Sequence, residues 1–163
     1  MKISKTLEKI INEQIGHELS SAYDYLGIAA WFETTPFKGF AHWMRKQSKE
    51  ELSHAMKFYE YLIDREGVVE LMSIDKPKMT YGSVIDAFKA TLKHEQKITK
   101  SIHEIYEAAT KEKDFETIDF LGWFLKEQIE EEKSIINFLE KLEISKESTN
   151  ALFILDSLAA KRE

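Results

Sequence analysis

The chain has no cysteine in its 163 residues, which excludes disulfide scaffolds, zinc knuckles, thiol catalysis and thiolate-held iron-sulfur centres. Its 6 glycines and 2 prolines are too few for an all-β meander or for alternating βα units with their many turns. It has no excess of positive charge either. With 23 Lys+Arg against 29 Asp+Glu the net charge is -6, and no basic block stands out, so nucleic acid and anionic membrane are not expected partners whereas cations are. No long apolar run occurs, and the opening segment MKISKTLEKI mixes charges with apolar residues every three or four positions. That pattern reads as neither signal peptide nor membrane span, and the expected location is the cytoplasm. Tandem repeats and low-complexity tracts are also lacking.

What remains is 43% hydrophobic and 32% charged residues, enough to build one core, so residues 1–163 are expected to form a single domain made of long helices. A first helix is predicted from about Ser4 to Thr34, where Leu7, Ile11, Gln14, Glu18, Ala22, Tyr25, Ala29 and Phe32 step by fours and threes along one stripe. Pro36 and Gly39 interrupt it. A second stripe then runs through Phe40, Met44, Gln47, Glu51, His54 or Ala55, Phe58 and Leu62 to Gly67. Residues 68–83 contain Pro77 and Gly82 and no sustained stripe, which marks the longest connection. A third helix shows Val84, Phe88, Thr91, Glu95, Ile98, Ile102, Ile105 and Ala109; a fourth shows Ile118, Leu121, Leu125, Gln128, Glu131, Ile135, Phe138 and Leu142. A short, apolar fifth helix is predicted after a cap near Ser148.

The four main helices are each about 28 residues, or roughly 42 Å long, which favours side-by-side packing. Short first and third connections make antiparallel hairpins, whereas the long middle connection can run the length of the bundle and leave the second and third helices parallel.

Each main stripe is broken near its middle by an acid: Glu18, Glu51, Glu95 and Glu131. Four carboxylates buried in one core would each cost several kcal/mol unless protonated, paired with bases or bound to metal. No basic residue shares the stripes. Two divalent cations carry +4 against the -4 of four ionised glutamates, so a dinuclear site removes the charge problem. Glu51 and His54 lie three apart on one helix face and can hold the same ion. Oxygen-rich ligation with a single imidazole points to iron or manganese before structural zinc, and iron is the expectation. By itself Glu-x-x-His is a common chance pattern; the acids on three other stripes give it weight.

In EQIEEEK, Glu127 and Glu130 flank the inward Gln128 and Glu131, and Glu50 adjoins Glu51, so these residues are candidates for a third ion. Glu132 reads as part of a solvated face. Tyr25, two turns after Glu18, is a candidate for hydrogen bonding to a ligand or for electron donation, with an ordinary buried tyrosine as the alternative. His17, His42, His94 and His103 lie off the acid stripes and read as surface or interface histidines.

The segments ELSSAYDYL, FAHWMRKQSKEELSHAMKFYEYL and FLGWFLKEQIEEEK resemble the non-haem bacterial and archaeal ferritins over nearly the whole chain. The resemblance implies an all-α, ferritin-like four-helix bundle with one long crossover between the second and third helices and a short carboxyl-terminal fifth helix. It implies a ferroxidase centre in which Glu18, Glu51 and His54 form the first iron site and Glu51 bridges to a second made with Glu95 and Glu131. Gln128 would lie beside the second iron. A third site would use Glu50, Glu127, Glu130 and Glu131, with Tyr25 and Trp123 as the associated aromatic residues. The resemblance further implies a homo-oligomeric cage of about twenty-four chains, with the fifth helix lining fourfold axes, Fe(II) and oxygen or peroxide as substrates, and ferric mineral stored inside. The haem-carrying bacterioferritins have a methionine after the bridging glutamate and a second Glu-x-x-His in the fourth helix. Here Leu52 and Gln128-x-x-Glu131 stand at those places, so no haem is expected and the second iron is expected to be held more loosely.

Two rivals remain at this stage. A di-iron oxygenase would need an organic substrate pocket, for which no feature speaks. A metal-free interaction bundle would show no stabilisation by added metal.

Overall fold

The computed structural model describes residues 2–162, which form five helices: α1 (Lys5–Glu33), α2 (Lys38–Asp64), α3 (Val84–Glu112), α4 (Phe115–Ser145) and α5 (Thr149–Ala159). Among the described residues there is no strand, and no helix is long and apolar enough to cross a membrane. Helix starts follow the local chemistry. Ser4 Oγ accepts from the Leu7 N–H at 3.1 Å, Ser83 Oγ from Asp86 N–H at 3.1 Å, and Asp114 Oδ1 from Thr117 N–H at 3.0 Å, each satisfying an amide that the first turn leaves unpaired. Ser148 precedes α5 as predicted but makes no side-chain cap.

Helices α1 and α2 pack as one hairpin, α3 and α4 as another, and α1 also contacts α3. The connection over residues 65–83 runs alongside α1 from its first turns to its last. Asn12 holds it early, donating to Val68 O at 2.8 Å and accepting from Glu70 N–H at 2.7 Å. Farther on, a Cβ at Gly16 would lie 2.8 Å from Met72 Cε, and one at Gly27 would lie 3.0 Å from Lys78 O and Pro77 Cβ. Hydrogen at these two helical positions is what lets the crossover lie against α1. Near the end of α1, Tyr81 packs edge-on against Trp31 with ring centroids 5.3 Å apart. The crossover thereby returns the chain to the starting end of α2, and α3 runs parallel to α2.

The bundle has two apolar clusters, one toward each end. Ile28, Phe32, Phe40, Met44, Phe88, Ile135 and Leu142 belong to one; Leu7, Ile11, Phe58, Leu62, Ile102, Leu121 and Phe124 belong to the other. On every main helix the acid falls between them. Each fully buried large apolar side chain contributes about 1.5–3 kcal/mol, so the two clusters provide the stability against which a polar middle layer is held.

The predicted stripes on α1, α2 and α3 are all buried. On α4 the expectation needs correction: Ile118, Leu125 and Phe138 are only partly buried, and the neighbours Thr117, Phe124 and Leu139 occupy the interior. Each neighbour is one residue away, about 100° around the helix, and both members of the pair border the apolar stripe.

Helix α5 folds back on α2 and α4 through Leu155 and Ala159. Asp156 Oδ1 accepts from the Phe40 N–H at 2.8 Å, giving α2 a cap that its own Phe37 does not supply.

Candidate metal centre

Halfway along the bundle, Glu18, Glu51, Glu95, Gln128, Glu131 and His54 are all buried. One tight group is Glu18, Glu51 and His54, each offering a ligand atom within 4.8 Å of the others. His54 Nδ1 lies 4.0 Å from Glu18 Oε2 and 3.8 Å from Glu51 Oε1. A second group joins the same histidine to Glu127 and Glu131. His54 thus stands between the two groups.

The remaining acids are tied by neutral donors. Glu95 accepts from the Tyr25 hydroxyl and from Gln128 Nε2, the latter at 3.1 Å. Glu131 Oε2 accepts from Gln47 Nε2 at 2.8 Å, and the same amide reaches Glu51 Oε1 at 3.1 Å. Gln14 Nε2 donates to Glu18 Oε1 at 2.7 Å. Glu18 Oε2 and Glu51 Oε2 are buried and receive no donor from any amide, amine or hydroxyl group; without metal, only a carboxyl proton shared between Glu18 and Glu51 serves them. Two such carboxylate oxygens beside a buried imidazole are an arrangement that a metal ion satisfies and an apolar core does not.

The electrostatics agree. Burial, followed by the charges of Glu95 and Glu131, pushes Glu18 up to about 8, partly offset by the Gln14 hydrogen bond. Glu51 is raised well above the ordinary range by burial and then by the charges of Glu95, Glu18 and Glu131. Burial and Glu95 take Glu131 to about 7, and burial raises Glu95. Burial lowers His54 to about 4, so its imidazole is neutral and keeps a lone pair for a metal. Tyr25 is held as a neutral phenol by burial and by the neighbouring carboxylates. The metal-free centre therefore stores protons that a metal would replace.

The third-ion candidates divide. Glu127 is partly buried and belongs to the group with His54 and Glu131. Glu130 is exposed, and Glu50 is paired with Arg162; both raise Glu127 after burial has done so first. Neither belongs to a metal-sized group among the described residues. Trp123 stands edge-on to His54 with ring centroids 5.4 Å apart and carries the Lys57 ammonium 4.6 Å above its ring.

Several participants were not singled out by sequence. Gln14 and Gln47 each precede an acid by four residues, and that repeated Gln-x-x-x-Glu spacing on α1 and α2 was the available signal. His94, expected at the surface or an interface, lies partly buried between α3 and α1: Nε2 hydrogen-bonds Ser21 Oγ, and Nδ1 is 3.8 Å from Asp24. It lines a side cavity of about 180 Å³ with Asp24, Tyr25, Tyr81 and Thr91.

The family model of the ferritin-like domain matches residues 8–145. A bacterial non-heme ferritin of Staphylococcus aureus (strain USA300) is 35% identical over 94% of this chain and 93% of its own. One from Staphylococcus haemolyticus is 36% identical over 98% and 96%. Among solved structures, an open pore ferritin from the hyperthermophilic archaeon Archaeoglobus fulgidus is 42% identical, with a TM-score of 0.97 over 99% of this chain and 98% of that one. An engineered closed form of the Archaeoglobus fulgidus ferritin is 41% identical at a TM-score of 0.97, covering 99% of each chain. With this match in sequence and fold around a carboxylate and histidine centre, the chain belongs to the ferritin family.

Proposed function

We propose that this protein is a cytoplasmic iron-storage ferritin that oxidises Fe(II) at the Glu18, Glu51, His54, Glu95 and Glu131 centre and deposits ferric mineral inside a cage of about twenty-four copies. The observation that carries the reading is the pair of buried oxygens on Glu18 and Glu51 that no amide, amine or hydroxyl donor reaches, beside neutral His54, in a polar layer held between two apolar clusters. Iron here is substrate and cargo. Fe(II) entering the Glu18, Glu51 and His54 group displaces carboxyl protons, and the ionised glutamates neutralise its charge. Glu51 faces both Glu18 and, through Gln47, Glu131, which suits it to bridge two ions. The hydrogen bond from the Tyr25 hydroxyl to Glu95 suits Tyr25 to orient that carboxylate.

Oxidation of two Fe(II) ions sends two electrons to oxygen or peroxide and adds two positive charges to a site already neutralised. Hydroxide from water restores the balance, protons leave, and the ferric hydroxide produced is a mineral precursor. Glu127, which shares the His54 and Glu131 group, offers the next oxygen ligand on the way out, with Glu130 and Glu50 close by. The net charge of -6 per chain favours inward movement of Fe(II). Gln128 in place of a charged ligand leaves the second position weaker, which suits iron that passes through after oxidation.

The test is to add Fe(II) aerobically to metal-free protein, follow ferric absorbance, and size the product with iron detection. Rapid oxidation with iron co-eluting as a large shell is expected. Slow, protein-independent oxidation with no retained iron would overturn the proposal.

A further inference from the structure

The described chain ends at a place that no helix pattern foretells. After α5, residues 160–162 turn into a groove of about 420 Å³ lined by Trp43, Ser134, Asn137, Phe138, Lys161 and Arg162. Three contacts hold Arg162 there. Its Nη2 pairs with Glu50 Oε2, its Cζ lies 5.1 Å from the Trp43 ring centroid, and its carbonyl oxygen is 3.0 Å from His42 Nε2. Its Nη1 is buried with no hydrogen-bond partner, so the guanidinium has spare capacity on that side. The positive charge acts favourably on Glu95, Glu127 and Glu131. A cation is thus carried by the chain to the edge of the metal centre, onto one of the acids implied in a third metal site.

We infer that Arg162 is a tethered cation that competes with metal for Glu50, so that the carboxyl-terminal tail sets how tightly a third ion is held. The inference rests on the metal-centre reading above. Glu50 cannot compensate an ion at the third site and remain fully paired with Arg162, so the two occupancies oppose each other. By linkage, a metal bound with Glu50 loosens the tail, and a seated tail weakens that metal by the same factor. The side chains of Arg162 and Glu50 are 22% and 39% exposed, which places the effect at about fivefold, as for a partly solvated ion pair. The first two ions, bound within the buried layer, are expected to change by less than about twofold, because solvent and distance screen the guanidinium.

Calorimetric titration of the metal-free, full-length protein with Zn(II), a redox-inert probe, tests this. Arg162→Ala is expected to tighten the third binding step about fivefold and leave the first two unchanged, while Arg162→Lys stays within about twofold of the parent. In a Glu50→Gln background, which removes the contested carboxylate, Arg162→Ala is expected to have no further effect. If the first two steps persist and Arg162→Ala leaves the third unchanged or weaker, the inference is overturned and the metal centre stands. If no variant, the parent included, binds Zn(II), the metal-centre reading fails and takes the inference with it.

Discussion

Gln47 and Glu131 meet across the bundle, with the Gln47 amide donating to Glu131 Oε2 at 2.8 Å while also reaching Glu51 Oε1 at 3.1 Å. One neutral side chain on α2 therefore fixes two carboxylates on different helices. It adds no charge that a metal would have to displace. Replacing Gln47 by Ala is expected to weaken metal binding about tenfold, the lower end for groups that orient ligands, without unfolding the protein. Zn(II) calorimetry checks this, and unchanged affinity would show that Glu131 and Glu51 need no such support.

Glu51 has one buried oxygen that no amide, amine or hydroxyl donor reaches. Glu51→Gln keeps the shape and removes the cost of protonating on folding a group that is ionised in the unfolded chain, so the metal-free protein is expected to gain about 1–3 kcal/mol near neutral pH. The same change is expected to slow iron oxidation at least tenfold, or about 1.4 kcal/mol in barrier. Denaturant unfolding and ferric absorbance give the two numbers. A variant that oxidised iron at the parental rate would remove Glu51 from the centre.

Above pH 6.5 the buried histidines His54 and His94, lowered to about 4 when folded, are largely neutral in both folded and unfolded chains. Glu18 at about 8 and Glu131 at about 7 still hold protons in the folded protein, whereas the ordinary value of 4.5 leaves them ionised when unfolded. Unfolding then releases protons, and stability falls as pH rises. The contribution is present in full below about pH 4.5 and is lost as pH passes through 7 to 8. Metal-free protein is expected to lose about 2 kcal/mol between pH 6.5 and 8 from these groups, and saturating Zn(II) is expected to remove the loss. Stability that rose with pH over this interval, without metal, would contradict the buried-acid arrangement.

Far from the centre, Arg65 at the end of α2 grips Asp114 with both amino groups, at 3.0 and 2.8 Å. Asp114 also caps α4 through Thr117 N–H. Asp114→Ala removes the cap and leaves a buried guanidinium short of its carboxylate, so a loss of about 3–4 kcal/mol is expected. Thermal or denaturant melting measures it. A loss below about 1 kcal/mol would mean that the remaining partners of Arg65 carry the joint.

Helix number, approximate ends and the acid layer were legible in the sequence because they depend on local rules. A stripe of apolar residues at helical spacing reports burial, and an acid inside such a stripe is anomalous wherever it occurs, so Glu18, Glu51, Glu95 and Glu131 stood out without coordinates. On α4 the rule blurred. Ile118 and Thr117, or Phe138 and Leu139, are neighbours in sequence that both border the stripe, and the packing of α4 against α2 and α3 selects which one faces inward.

Position along the chain also fixed the likeness to ferritins, since motif spacing is a sequence property. Contacts between distant residues are not. The seating of α5 depends on Gly39, where a Cβ would lie 1.8 Å from Asp156 O, and on the hydrogen bond from Phe40 to Asp156 across 116 positions. The Arg162 pair with Glu50 spans 112, and His94 meets Ser21 across 73. No periodicity connects such partners, because their approach is set by how whole helices dock and by the path of the 65–83 crossover along α1. Sequence alone determined the buried stripes of α1, α2 and α3 and the acid layer; tertiary structure decided the inward face of α4 at its border positions and which donors and charges hold the acids, since hydrogen bonds and ion pairs act over a few ångströms of space irrespective of distance along the chain.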